Sequence, residues 1–267
     1  MIEQRLLDDV VTLTEAAGGE IIAIYETDFE VSHKDDDSPL TRADMASHHT
    51  LAAGLRELTP DTPLLSEEAE AMDWPTRRTW QRYWLIDPLD GTREFVHRNG
   101  QFTVNVALVE GHQVVLGVVC APVLGTTWYA AAGAGARKKT AAGDHAIHTR
   151  RPPSQPPVVV ASRSHAGELL DSYLEQIPEH QRVAVGSSLK LCQVAEGSAD
   201  LYPRLGPTSE WDTAAAQCVV EQAGGAVRVA DGSALCYNTK ESILNPYFVV
   251  AGDPAADWPP IPGASAD

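Results

Sequence analysis

The chain has 267 residues, of which 43% are hydrophobic, enough for one large domain or two packed subdomains. Asp and Glu total 37 against 20 Lys and Arg, a formal net charge of -17. A field of that sign repels polymeric nucleic acid and excludes it as a partner, but a small phosphate substrate remains compatible where metal ions or a local basic cluster reverse the field.

Cys120, Cys192, Cys218 and Cys236 stand singly, without CxxC or Cys/His spacing. They read as reduced core thiols of a cytoplasmic protein, not as zinc ligands. The N-terminus has neither a basic n-region nor an apolar h-region, so no signal peptide is expected. No apolar run approaches the ~20 residues of a transmembrane helix. No basic amphipathic stretch marks a membrane-surface helix. Peripheral association at the cytoplasmic face of the inner membrane, like the oligomeric state, is left open by the sequence.

Apolar residues from Leu6 to Tyr25 recur at helical spacing. Residues 30–39 are charged and read as an exposed hairpin or mobile loop. Thr41 is a candidate N-cap for a second helix reaching about Leu58, where Thr59-Pro60-Asp61-Thr62-Pro63 breaks it. Leu64 and Leu65 form a short strand ending on Ser66-Glu67-Glu68. Tyr83-Trp84-Leu85-Ile86 reads as a buried strand. It runs into Asp87-Pro88-Leu89-Asp90-Gly91, a turn stiffened by Pro and relaxed by Gly, and Thr92 to Phe95 can open a helix.

Phe102 to Leu108, Val114 to Cys120 and Thr126 to Ala131 predict an antiparallel meander. Gly133 to Asp144 is small, polar and basic and reads as a crossing between subdomains. Beyond it, the predicted elements are a strand at 158–161, a helix at 166–176, a strand at 182–185 and a helix at about 188–196. A helix from Trp211 to Ala223, stopped by Gly224-Gly225, follows. This alternation suggests an α/β layer. The expected division is an N-terminal α+β subdomain over 1–136, a C-terminal α/β subdomain over 137–252 and a frayed, Pro-rich tail over 253–267.

Four segments each deliver a carboxylate beside a sharp chain feature: Asp44 one turn into a helix, Glu67 and Glu68 at a strand end, Asp87 and Asp90 around Pro88-Leu89, and Asp212 after Trp211. Like charges converging at the edge of a core need cations or shared protons. Hard divalent ions such as Mg2+ take all-oxygen sites of this kind. Two metal ions about 4 Å apart would serve phosphate hydrolysis. Glu67, Asp87, Asp90 and Asp212 are suitable ligands, with the Leu89 carbonyl facing the same site. Gly91 and Thr92 offer backbone N–H groups to an anion. The Thr92 hydroxyl, partnered by Asp44, could orient the attacking water. His97 reads as a solvent-facing helix residue.

These residues carry a resemblance. Trp84-Leu85-Ile86-Asp87-Pro88-Leu89-Asp90-Gly91-Thr92-Arg93-Glu94-Phe95 is similar to the first signature of the inositol monophosphatase-like, lithium-sensitive phosphatases. Trp211-Asp212-Thr213-Ala214-Ala215-Ala216 through Gly224-Gly225 is similar to the second. The likeness covers roughly residues 3 to 250. It implies a layered αβαβα sandwich of α+β class, Mg2+-dependent phosphomonoester hydrolysis with two or three ions per site, a catalytic role for Asp44, Glu67 and Thr92, and inhibition by Li+. Arg93 departs from the commoner Lys with charge retained.

Within the family the chain most resembles the bacterial CysQ-type adenosine 3'(2'),5'-bisphosphate nucleotidases. The marks are Leu65-Ser66-Glu67-Glu68, Arg98-Asn99-Gly100-Gln101-Phe102-Thr103-Val104-Asn105, Ser162-Arg163-Ser164-His165, Gly186-Ser187-Ser188-Leu189-Lys190 and Leu201-Tyr202-Pro203-Arg204. That branch implies hydrolysis of a small nucleotide bisphosphate to AMP and phosphate in support of sulfate assimilation. A second phosphate needs its own donors. Ser164, His165, Ser187, Lys190, Tyr202 and Arg204 are the candidates, and Arg suits bidentate phosphate contact. The Gly186-Ser187-Ser188 turn at a helix start is a further phosphate seat. Two alternatives remain: an inositol or related sugar phosphatase, which has no need for Lys190 and Arg204 together, and a non-catalytic nucleotide or metal sensor, which has no use for a water-activating pair.

Overall fold

Strand alternation in the middle of the chain sets the layering. In the computed structural model, which describes residues 2–27, 39–162, 167–177 and 179–263, helices α1 (Gln4–Tyr25) and α2 (Pro39–Leu58) pack together on one face of a seven-stranded sheet. Its strands lie in chain order: β1 (Leu64–Ser66), β2 (Arg82–Asp90), β3 (Thr103–Glu110), β4 (Gln113–Ala121), β5 (Thr126–Ala131), β6 (Gly135–Thr140) and β7 (Gly143–Ile147). Only β1 and β2 are parallel. Trp84, Ile86, Val104, Val106, Leu108 and Val118 point to α1 and α2. Their neighbours Tyr83, Leu85, Ala107, Val109 and Val119 point the other way, as period-two side chains must.

Two short helices, α3 (Trp74–Arg77) and α4 (Thr92–Val96), flank β2. The second half adds β8 (Val158–Ser162), α5 (Glu168–Leu174), β9 (Gln181–Val185), α6 (Leu189–Ala195), β10 (Leu201–Arg204), α7 (Ala214–Gln222), β11 (Ala226–Val229) and β12 (Phe248–Ala251). Its five strands run in the order β11-β12-β10-β8-β9. Helices α6 and α7 lie between the two sheets and share their core, while Leu170, Tyr173 and Leu174 of α5 cover Val159, Ala161, Leu201 and Val249 on the far face of the second sheet. The result is the expected αβαβα sandwich.

Gly117 of β4 lets α7 approach the first sheet closely. A Cβ there would stand 2.1 Å from the Ala215 carbonyl oxygen. No side chain larger than hydrogen fits between that strand and that helix.

Several boundaries differ from the sequence reading. Helix α2 begins at Pro39, not at a Thr41 cap, because the fixed φ of proline suits a first turn whose N–H needs no partner. The segment at 133–144 is no crossing. It forms the β6–β7 hairpin, so the first sheet runs on to Ile147 and the expected division at residue 136 falls inside β6. Its basic residues do not mark a linker because each has a partner. Lys138 pairs with Glu196 at 2.7 Å, Lys139 with Glu15 at 2.7 Å and Arg137 with Asp144 at 2.9 Å. Residues 148–157 make the passage to the second sheet, held by Asp200, whose carboxylate accepts from Arg150, Ser154 and the Val158 N–H.

The described part of the tail, to residue 263, is also more ordered than expected. Trp258 and Ile261 pack on the outer core cluster, and the Tyr173 hydroxyl donates to the Pro259 carbonyl at 3.0 Å. Isolated anchoring residues in an extended segment leave no periodicity to read. The charged segment expected as a hairpin or loop lies mostly outside the described residues. Among the described residues no helix is long and apolar enough to cross a membrane.

Candidate metal and phosphate site

The acidic cluster follows from strand register. Ser66 pairs with Ile86 in the last rung of the parallel β1–β2 ladder, so the next residues, Glu67 and Asp87, follow side by side where that ladder ends. Pro88 and Leu89 then sit in a bulge between Asp87, paired with Asn105, and Asp90, paired with Thr103. The Asp87 carboxylate accepts the Leu89 N–H at 3.1 Å, and the Ser47 hydroxyl donates to the Pro88 carbonyl at 2.8 Å. Gly91 closes the turn in the left-handed region at φ 101°. Asp212 comes from the second half, in a turn before α7 where its carboxylate accepts the Ser209 N–H at 2.9 Å. The helix expected from Trp211 thus starts three residues later, at Ala214.

Carboxylate oxygens of Glu67, Asp87 and Asp212 all lie within 4.8 Å of one another. Asp90 adjoins them and is contacted by Ser188 Oγ at 3.0 Å and more distantly by Thr103 and Asn105. Burial, and then the Asp90 and Asp212 charges, push the Asp87 carboxyl well above its ordinary range. Burial and then Asp90 raise Asp212 to about 7. Burial and the Glu68 and Glu67 charges raise Asp44 to about 8. Glu67 rises through burial, Glu68 and Asp90. Burial raises Asp90 as well, with Lys190 and Ser188 pulling the other way. An all-oxygen donor set whose members repel one another around the buried Asp87, at the open edge of the sheet, fits a hard divalent ion such as Mg2+.

A cavity of about 310 Å3 opens beside this cluster. Asp90, Gly91, Thr92, Ser187, Lys190, Tyr202, Arg204 and Asp212, all singled out from sequence, line it together. Lys190 is buried, donates to the Ser187 carbonyl at 2.5 Å and lies 5.7 Å over the Tyr202 ring. Burial, outweighing the pull of Asp90, lowers its pKa to about 8. Arg204 donates to the Pro207 carbonyl, and its buried Nε has no hydrogen-bond partner among the described residues. A buried donor without an acceptor is costly unless an anion supplies one.

The structure does not bring every expected partner together. No hydrogen bond joins Thr92 to Asp44 among the described residues. Asp44 instead faces Glu67, Glu68 and Asp87. Ser164 and His165 lie outside the described residues. Of the Gly186-Ser187-Ser188 turn, Ser187 lines the cavity but Ser188 is turned inward and buried. Sequence reasoning assigned no cavity role to Arg93, Glu94, Thr208 and Thr213, which also line the cavity, and it read Ser188 as part of a phosphate seat, not as a buried partner of Asp90 and Asn105. Arg93 and Glu94 adjoin the Asp87 turn, which is the one local signal that could have found them.

The inositol monophosphatase family model matches residues 3–255. The chain is 49% identical over 253 residues to the 3'(2'),5'-bisphosphate nucleotidase CysQ of Salmonella typhimurium, covering 92% of this chain and 99% of that protein. It is 48% identical over 254 residues to the enzyme of the same name from Escherichia coli strain K12, with the same coverage. Among solved structures, CysQ from Bacteroides thetaiotaomicron superposes with a TM-score of 0.85 at 38% identity, over 94% of this chain and 98% of that one. The chain belongs to the inositol monophosphatase family and, within it, to the CysQ-type branch.

Proposed function

We propose that the protein is a Mg2+-dependent phosphomonoester hydrolase that converts adenosine 3'(2'),5'-bisphosphate to AMP and phosphate. The carrying observation is the meeting of two charge environments at one cavity. Glu67, Asp87 and Asp212 converge within 4.8 Å, and Lys190 and Arg204 line the space beside them. Glu67, Asp87, Asp90, Asp212 and the Leu89 carbonyl would hold two or three Mg2+ ions, which when bound supply Lewis-acid charge to the phosphoryl and leaving oxygens.

The chain's own groups divide the remaining work. Gly91 and Thr92 N–H groups seat the phosphate to be cleaved. The Thr92 hydroxyl orients the attacking water. Asp44, with its carboxyl at about 8, is suited to take that water's proton near neutral pH, and Glu67 stands beside it. Lys190 and Arg204, with Ser187 and Tyr202, receive the phosphate that is not cleaved. The reading places the reaction in the cytoplasm, where the by-product of phosphoadenylyl-sulfate reduction would be removed.

The test is phosphate release measured from adenosine 3',5'-bisphosphate and from inositol 1-phosphate, with Mg2+ and with excess EDTA. The nucleotide should be preferred, EDTA should abolish turnover, and Asp90→Asn should cost about 100-fold or more in kcat. Preference for inositol 1-phosphate overturns the substrate, full activity in EDTA overturns the metal, and absence of metal-dependent release leaves a sensor.

A further inference from the structure

The hydroxyl of Ser188 stands where the two halves of the site meet. Its Oγ lies 3.0 Å from Asp90 Oδ2, 2.6 Å from the Asp212 carbonyl oxygen and 2.9 Å from Asn105 Nδ2. These partners belong to three elements: Asp90 ends β2, Asn105 lies in β3, and Asp212 precedes α7. Ser188 itself immediately precedes α6, two residues before Lys190, and its side chain makes no capping bond to that helix. It is 1% exposed, so none of these contacts is exchanged with bulk water.

The hydroxyl has one proton and two acceptors. Asn105 Nδ2 donates to the oxygen, so the proton goes either to the Asp90 carboxylate or to the Asp212 carbonyl. Without a cation, Asp90 is the more strongly charged acceptor. With a cation drawing on the Asp90 carboxylate, the Asp212 carbonyl competes better for the proton. The hydroxyl therefore ties the carboxylate of the first sheet to the turn that carries the carboxylate of the second half.

We propose that Ser188 is a positioning residue that holds Asp90 and the Asp212 turn in one cation-binding geometry and thereby sets the affinity of the acidic cluster for Mg2+. It touches neither substrate nor reacting atoms. The inference rests on the metal reading given above and adds to it a residue that offers the ion no ligand.

The test is Mg2+ titration of the metal-stripped full-length protein by calorimetry, together with Tm in EDTA, for wild type and Ser188→Ala. The Ala variant should bind Mg2+ about 10-fold or more weakly, the loss expected for a hydrogen bond to a charged group. Its metal-free Tm should fall by no more than a few degrees. A merely structural serine would show the converse, a lowered metal-free Tm with Mg2+ affinity within twofold of wild type, and that result overturns the proposal. If Ser188→Ala does not fold, Ser188→Cys keeps the shape but weakens the donor. It should likewise lose affinity, and wild-type affinity in that variant overturns the proposal. If the wild type itself fails to bind Mg2+, the metal reading falls and this inference with it.

Discussion

The Lys190 ammonium lies 5.7 Å over the Tyr202 ring, held by the carbonyl of Ser187 at 2.5 Å, in the cavity that Arg204 also lines. Burial sets its pKa at about 8, so its charge is lost as pH rises through that value. KM for adenosine 3',5'-bisphosphate should therefore climb above pH 8, while KM for adenosine 3'-monophosphate should not. Arg keeps its proton throughout this range, so Lys190→Arg should flatten the climb. Steady-state KM from pH 7 to 9.5 checks it, and parallel curves for the two substrates would move Lys190 away from the uncleaved phosphate.

Arg204→Ala removes the guanidinium whose Nε has no partner among the described residues. Charge-assisted bonds to phosphate are worth about 1.5–3 kcal/mol, so KM for the bisphosphate should rise about 10- to 100-fold. The monophosphate should change little. The ratio of kcat/KM for the two substrates is the observable, and an equal fall on both would make Arg204 structural or place it at the reacting phosphate.

No hydrogen bond joins Thr92 to Asp44 among the described residues, so a cooperation between them would run through the attacking water. Thr92→Ala and Asp44→Asn should each lower kcat with little change in KM. The double variant should be scarcely worse than either single one. Additive free-energy losses would show separate tasks.

The carboxylate cluster links pH to stability with a definite sign. Asp212 at about 7 and Asp44 at about 8 bind protons more tightly folded than unfolded, where Asp titrates near 3.8. Their contribution is fully present below the unfolded value and is lost as pH rises through 7 and 8. The metal-free Tm should fall by at least about 5 °C from pH 5 to pH 8. Mg2+ should raise Tm more at pH 8 than at pH 5. Calorimetric scans in EDTA and in Mg2+ measure both, and a metal-free Tm that rises across this range would contradict the assignment.

Much of this site was legible because its parts are local. Asp87, Asp90 and Gly91 sit within five residues of a buried strand, and Glu67 ends another, so spacing alone announced convergent carboxylates. The same locality hid other features. Ser188 looks like a phosphate seat in the Gly-Ser-Ser run, and only its contacts with Asn105 of β3 and with the Asp212 turn direct its hydroxyl inward. The β6–β7 hairpin reads as linker because its two lysines, Lys138 and Lys139, find acids, Glu196 and Glu15, that are distant in the chain. Trp258 anchors the tail through a contact with no sequence period. Where a residue's role is set by a partner far along the chain, one sequence holds no local sign of it.

The distribution of the acidic ligands has a consequence for how the protein is made. Glu67, Asp87 and Asp90 belong to the first sheet, and Asp212 waits behind α6 and β10. A chain emerging from the ribosome can pair β1 to β5 and expose three carboxylates before the fourth has been synthesised. Non-local contacts close slowly, and N-terminal elements fold first. On the proposed function, the full set of carboxylates is therefore complete only once α7 has docked over Gly117 and the second half has arrived.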